Sequence, residues 1–241
     1  VTHRIRTVAV VAAALLCVPT ACGGDTDAEP DGSPSPDADA AVVATAAVQL
    51  GQEDLVLGAD LAERHLFVLY QVNGGLDATT ARCATAGFVS SFGGRTALEG
   101  VRLEDLLAED TQRARRDAAR ACEPAPEGTT TTVDPFAEQP PEPLPDDLDP
   151  ALLRDHLVEL TTATARQVGM DDEEAACFAT AAYGLLDDTQ VLATQRPEAY
   201  PDVELPERDG AEEVRSCLSD ERIAALAQRW RDDVAALRDG Q

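Results

Sequence analysis

The sequence predicts an all-α protein made of two related small helical modules, each with one disulfide, joined by a Pro-rich linker. Three observations carry this. Apolar residues make up 44% of the chain but aromatics only 4%, so a core must be built from Leu, Val and Ala, which suits close-packed helices better than a sandwich. Apolar residues recur at helical spacing behind Asp residues that suit helix N-caps. Two segments rich in Pro and poor in apolar pattern separate those stripes.

The chain opens with features of an export signal. VTHRIRT is a short basic region, and Val8 to Val18 is an apolar run of 11 residues. That run fits a signal-peptide core and falls short of the roughly 20 residues that span a bilayer. PTACGGD follows. It resembles a bacterial lipobox, with small Thr20 and Ala21 before Cys22 and glycines after it. The resemblance implies cleavage of residues 1–21 and a lipid, diacylglycerol with palmitate-type chains, on the Cys22 sulfur. Pro19 departs from the family, which has an aliphatic residue there. Cys17 follows bulky Leu15 and Leu16 and fits the pattern less well.

Residues 22–40, mostly Gly, Asp, Ser and Pro, read as a lipid-anchored flexible tether. The Ala/Val run from Ala40 to Leu50 is too short to cross a membrane. Helical module 1 is expected over 41–122. Within it LFVLYQV (Leu66 to Val72) is ambiguous on its own pattern, and similarity between the modules favours helix. Asp77 caps a helix carrying Ala81, Ala84, Phe88 and Phe92, and a polar, Arg-rich helix from Asp110 to Ala121 leads into Cys122. The segment 123–150 holds eight prolines and reads as the linker, because proline removes a donor and clashes with the preceding turn of a helix. Helical module 2 is expected over 151–241. Leu153, Leu157, Leu160 and Val168 form one face, interrupted by Thr164. Asp171 with Glu174 forms a capping-box pair ahead of Ala175, Phe178, Ala182 and Leu186. Gln195 to Gly210 is expected to be irregular. Ser219 caps a final helix with Ile223, Leu226, Trp230, Val234 and Leu237 on one side.

The modules share a motif. GLDATTARC (Gly75 to Cys83) matches GMDDEEAAC (Gly169 to Cys177) at Gly, Asp, Ala and Cys, and a second cysteine follows 39 and 40 positions later, at Cys122 and Cys217. This reads as an internal duplication. With Cys17 lost in the leader and Cys22 lipidated, four cysteines remain and allow three connectivities. Equivalent positions select Cys83 with Cys122 and Cys177 with Cys217. Each bond closes a loop worth about 4 kcal/mol in the chain-entropy treatment. No C-x-x-C spacing suggests zinc or redox chemistry. The pattern G-L/M-D-x-x-x-A-x-C with a later cysteine resembles a small helical module of exported actinobacterial proteins, often found behind a lipobox. That resemblance implies compartment, fold class and disulfides, and no activity.

The formal net charge is −26, and all 19 basic residues are Arg. Such acidity argues against a nucleic-acid partner and keeps the body of the protein off anionic headgroups. No phosphate loop, dinucleotide fingerprint, serine-hydrolase elbow or zinc-protease motif occurs. His65 and His156 each precede a leucine but fall out of register in the duplication, 10 residues before Gly75 and 13 before Gly169. They are expected to be partly exposed on helices. The acid clusters Asp146, Asp147, Asp149, then Asp171 to Glu174, then Asp187 and Asp188, lack calcium-loop spacing and read as solvated helix ends.

The expected function is therefore a non-enzymatic binding or structural lipoprotein at the extracytoplasmic face of the cell membrane, held there through Cys22. It has no catalytic residue, metal ligand or cofactor, and its partner is an unknown protein or basic ligand. Two alternatives stay open: an envelope hydrolase using scattered carboxylates, and a low-affinity cation binder.

Overall fold

The computed structural model describes residues 35–47, 55–123, 144–206 and 210–239, with side chains up to residue 236. The leader, Cys17, Cys22, most of the tether, most of the linker and the Leu237 side chain lie outside the described residues. Among the described residues the fold is all-α, 75% helical with 2% strand. In chain order the helices are α1 (Pro36–Thr45), α2 (Ala59–Val72), α3 (Ala78–Phe92), α4 (Leu103–Leu107), α5 (Glu109–Cys122), α6 (Pro150–Gln167), α7 (Asp172–Tyr183), α8 (Asp188–Gln195), α9 (Ala211–Cys217) and α10 (Asp220–Asp239). A two-residue antiparallel ladder pairs β1 (Val56–Leu57) with β2 (Val101–Arg102). Among the described residues no helix is long and apolar enough to cross a membrane.

The chain divides into two compact units. The inner unit is Val56–His156; the outer unit joins the described residues up to Leu55 with Leu157–Gln241. These boundaries differ from the expected 41–122, 123–150 and 151–241. The tether was expected to run to residue 40, yet Ser35 caps α1, accepting from the amides of Asp37 and Ala38, and Pro36 opens its first turn. Proline is well placed there, where its missing N–H has no partner to lose. Within the Ala/Val run begun at Ala40, the described residues Ala40, Val43, Ala44 and Ala47 are buried, and they belong to the outer unit.

In the inner unit α3 starts at Asp77, whose side chain accepts from the amides of Thr79 and Thr80, and ends at Gly93 in a left-handed conformation. Helix α3 packs on both α2 and α5, burying Ala81, Ala84 and Phe88, with Phe92 stacked on Phe88 at 5.4 Å. Helix α5 buries no residue fully; the Cys83–Cys122 disulfide fastens it to α3. Residues 144–149, just before α6, are not free linker, and their burial continues into the first turn of that helix. Leu148 and Leu153 are buried, and Asp147 Oδ2 accepts from the backbone N–H of Ala78 at 2.8 Å.

In the outer unit α1 packs against α9 and α10, and α7 against α9. Its core includes Val43, Ala44, Phe178, Val214, Ile223 and Leu226. Asp39, buried on α1, pairs with Arg231, and Asp37 pairs with Arg215. Gly210 has φ +72°, and a Cβ there would sit 2.7 Å from the Ala44 Cβ, so close approach of α1 requires glycine. Helix α7 stops at Tyr183, before Gly184, and Leu186 is buried beyond its end. Of the stretch Gln195 to Gly210, expected to be irregular, Gln195 is the last residue of α8, and the described residues after it include a short 3₁₀ turn, Pro197–Ala199.

Candidate functional site

The residues singled out for chemistry are placed by the helix ends. Cys83 lies in the second turn of α3 and bonds Cys122, the last residue of α5, with Cα atoms 5.8 Å apart. Cys177 lies in the second turn of α7 and bonds Cys217, the last residue of α9, at 5.7 Å. The expected pairing is the pairing found. The local geometry ahead of both first cysteines also corresponds. Gly75 and Gly169 both take positive φ, and Asp77 and Asp171 both cap the helix that follows.

Several members of the acidic clusters are cap structures that accept from backbone donors, while Asp172 pairs with Arg166. Asp171 accepts from the amides of Glu173 and Glu174, while Glu174 reaches back to the amide of Asp171. Asp187 makes the same reciprocal cap with Gln190 at the start of α8. Asp149 accepts from the amide of Ala151 at the start of α6. Backbone and side-chain hydrogen bonds from Thr80 hold the Asp77 carboxyl below its ordinary range. Arg222 does the same for Glu174, donating from Nε at 2.7 Å and from Nη2 at 2.9 Å. Among the described residues no group of three or more His, Cys, Asp or Glu side chains could hold a metal ion. Trp230 is half-buried on α10.

The exception is the pair of histidines, which the sequence reading expects to be partly exposed on helices. The structure corrects this. His65 on α2 and His156 on α6 are 9% and 2% exposed. Their rings lie 5.2 Å apart between centroids, and His65 Nδ1 and His156 Nε2 share a hydrogen bond of 3.1 Å. The signal was present in the stripes. His65 falls three residues after Ala62 and one before Leu66, and His156 falls three after Leu153 and four before Leu160, so both lie on the apolar face of their helix. Misalignment in the duplication hid it.

This pair has a fixed proton count. A hydrogen bond between two neutral imidazoles needs one inner nitrogen bearing H and the other bare. If His65 Nδ1 donates, the proton of His156 must sit on Nδ1; if His156 Nε2 donates, the proton of His65 must sit on Nε2. Both rings therefore hold the same tautomer. Either way the outer nitrogens are one donor and one acceptor. Those atoms, His65 Nε2 and His156 Nδ1, are buried without a hydrogen-bond partner among the described residues. Each such orphan costs about 1–3 kcal/mol.

Charge is held away from the pair. Burial, then His156, then Arg115 lower the pKa of His65 to about 3; burial and Arg64 lower that of His156 to about 4. Tyr70 fixes the neighbouring α5 backbone by donating its hydroxyl to the Arg115 carbonyl at 3.0 Å, and burial raises its own pKa to about 12. What this arrangement can do chemically is exchange protons: it is neutral at pH 7, has no carboxylate among the groups acting on it, and gains charge only by taking up protons. No protein-family model, curated protein sequence or solved structure matches the chain.

Proposed function

We propose that this chain is an extracytoplasmic lipoprotein, anchored to the cell membrane through a lipid on Cys22, that works as a binding or structural protein rather than an enzyme. The observation that carries this reading is the use of four cysteines in two disulfides, one inside each unit. Such bonds persist in oxidising compartments and are rare in the cytosol. The leader and the lipobox-like PTACGGD supply a route to that compartment and an anchor once there. Asp149, Asp171, Glu174 and Asp187, from the acid clusters a hydrolase or a cation binder could draw on, serve as caps at α6, α7 and α8, which supports a non-enzymatic reading. The matching Gly-x-Asp caps and cysteines of the two units support a common origin, as the resemblance to the exported actinobacterial module suggests. The acidic surface suits a basic protein partner or ligand and disfavours nucleic acid.

The anchor is tested by Cys22→Ala in the producing cell. The variant should lose incorporation of labelled fatty acid and accumulate as precursor with residues 1–21 attached. A wild-type protein found wholly in the medium and carrying no lipid would overturn the reading.

A further inference from the structure

We propose that the His65–His156 pair is an acid-released latch, which holds residues 144–156 on the inner unit while both rings are neutral and lets them go when both take up protons. Two contacts hold this segment within the unit, the Asp147 carboxylate on the Ala78 amide and the bond between the two rings; Leu148 and Leu153 of the segment are buried. The ring bond is the one contact among these that protons in the mildly acidic range can address.

The steps follow from the proton count. A first proton enters at the bare outer nitrogen. Its ring then carries H on both nitrogens, and the inner bond survives as a charge-assisted one. A second proton has only the accepting inner nitrogen left. Both inner nitrogens then bear H and face each other across 3.1 Å, so the bond is lost and two cations repel in a buried place. The surroundings deepen this. The charged groups acting on the rings are Arg64 from α2 and Arg115 from α5. Two further arginines of the unit have partners of their own. Arg82 of α3 stands over the Phe67 ring, and Arg95, between α3 and β2, pairs with Asp60 and Glu63. Tyr70 stays neutral throughout.

Both histidines have a folded pKa below the ordinary value of about 6.5, so the released state binds more protons. The latch is fully closed above that value and weakens as pH falls toward the folded values of about 4 and about 3. With two sites, the opening equilibrium should rise by up to about a hundredfold per pH unit below pH 6.5, tenfold for each histidine.

The experiment is hydrogen exchange read by mass spectrometry on the full mature chain with disulfides intact. Exchange is expressed as protection relative to unstructured peptides at the same pH. Protection of the amides of residues 148–156 should fall more than about tenfold between pH 6.5 and 5, while that of α7 stays level. The double variant His65→Phe, His156→Leu should keep protection at neutral pH and lose its pH dependence. Protection that does not change with pH, or that falls in all helices together, would overturn the latch. Should the variant not fold, nitrogen-15 NMR of the wild-type rings decides. Both rings in the same tautomer at neutral pH supports the proposal. Opposite tautomers, or a ring titrating near 6.5 with the segment still protected, contradicts it.

Discussion

Glu174 shows how much one side chain does here. Its carboxylate accepts from the amide of Asp171 as half of a capping box and takes both Nε and Nη2 of Arg222, which also donates to the Gly169 carbonyl. Glu174→Gln keeps an acceptor for the cap and loses the ion pair; Glu174→Ala loses both. Urea unfolding should show losses of about 0.5–1 and about 1.5–2 kcal/mol respectively. The pH dependence has a definite sign. The folded carboxyl titrates below its ordinary range, so its contribution is fully present above that range and is lost as pH falls from there through the lowered folded value. Glu174→Gln should flatten that part of the stability profile. The cap was legible in the sequence because its partners are three residues apart. Arg222 was not, lying 48 residues on. The histidines were misread for a related reason: each stripe showed a polar residue on an apolar face, but only the fold brings the two faces together.

At the scale of elements, the helices with local start signals were legible: α3 behind Asp77, α7 behind Asp171 and α10 behind Ser219, whose hydroxyl accepts from the amide of Arg222. Helix α2 was ambiguous because it buries His65, Leu66, Val68, Tyr70, Gln71 and Val72, and a helix covered on several sides shows no clean period. The ladder of β1 and β2, two residues each, offers no alternation to read. Helix α1 was hidden by its acids, since Asp37 and Asp39 look like tether until Arg215 and Arg231 meet them. Gly210 tests its docking. Gly210→Ala places a methyl against Ala44 in a left-handed conformation that Ala adopts poorly. Overall stability should fall by about 1–3 kcal/mol, and the amides of α1 should lose protection before those of α7. Unchanged protection of α1 would show that it docks elsewhere.

At the scale of the whole molecule, the sequence marked two disulfide-closed bodies but misjudged where each begins. Composition made Ser35 to Ala47 look like tether and start of module 1, whereas its Ala40, Val43, Ala44 and Ala47 pack in the outer unit. A cut within 124–143 therefore leaves α1 joined to the inner unit's fragment while its packing partners α9 and α10 are on the other. The two fragments should co-elute on gel filtration after such a cut, and separate only in denaturant. Immediate separation under native conditions would contradict the placement of α1. Export, anchoring at Cys22 and disulfide closure are all read by one measurement, the intact mass of the chain extracted from the cell envelope without reduction. The expected mass is that of a protein beginning at Cys22, heavier by its lipid and lighter by the hydrogens that Cys83–Cys122 and Cys177–Cys217 remove. A chain that retains residues 1–21, or begins elsewhere without lipid, or carries free thiols on these four cysteines, would contradict it.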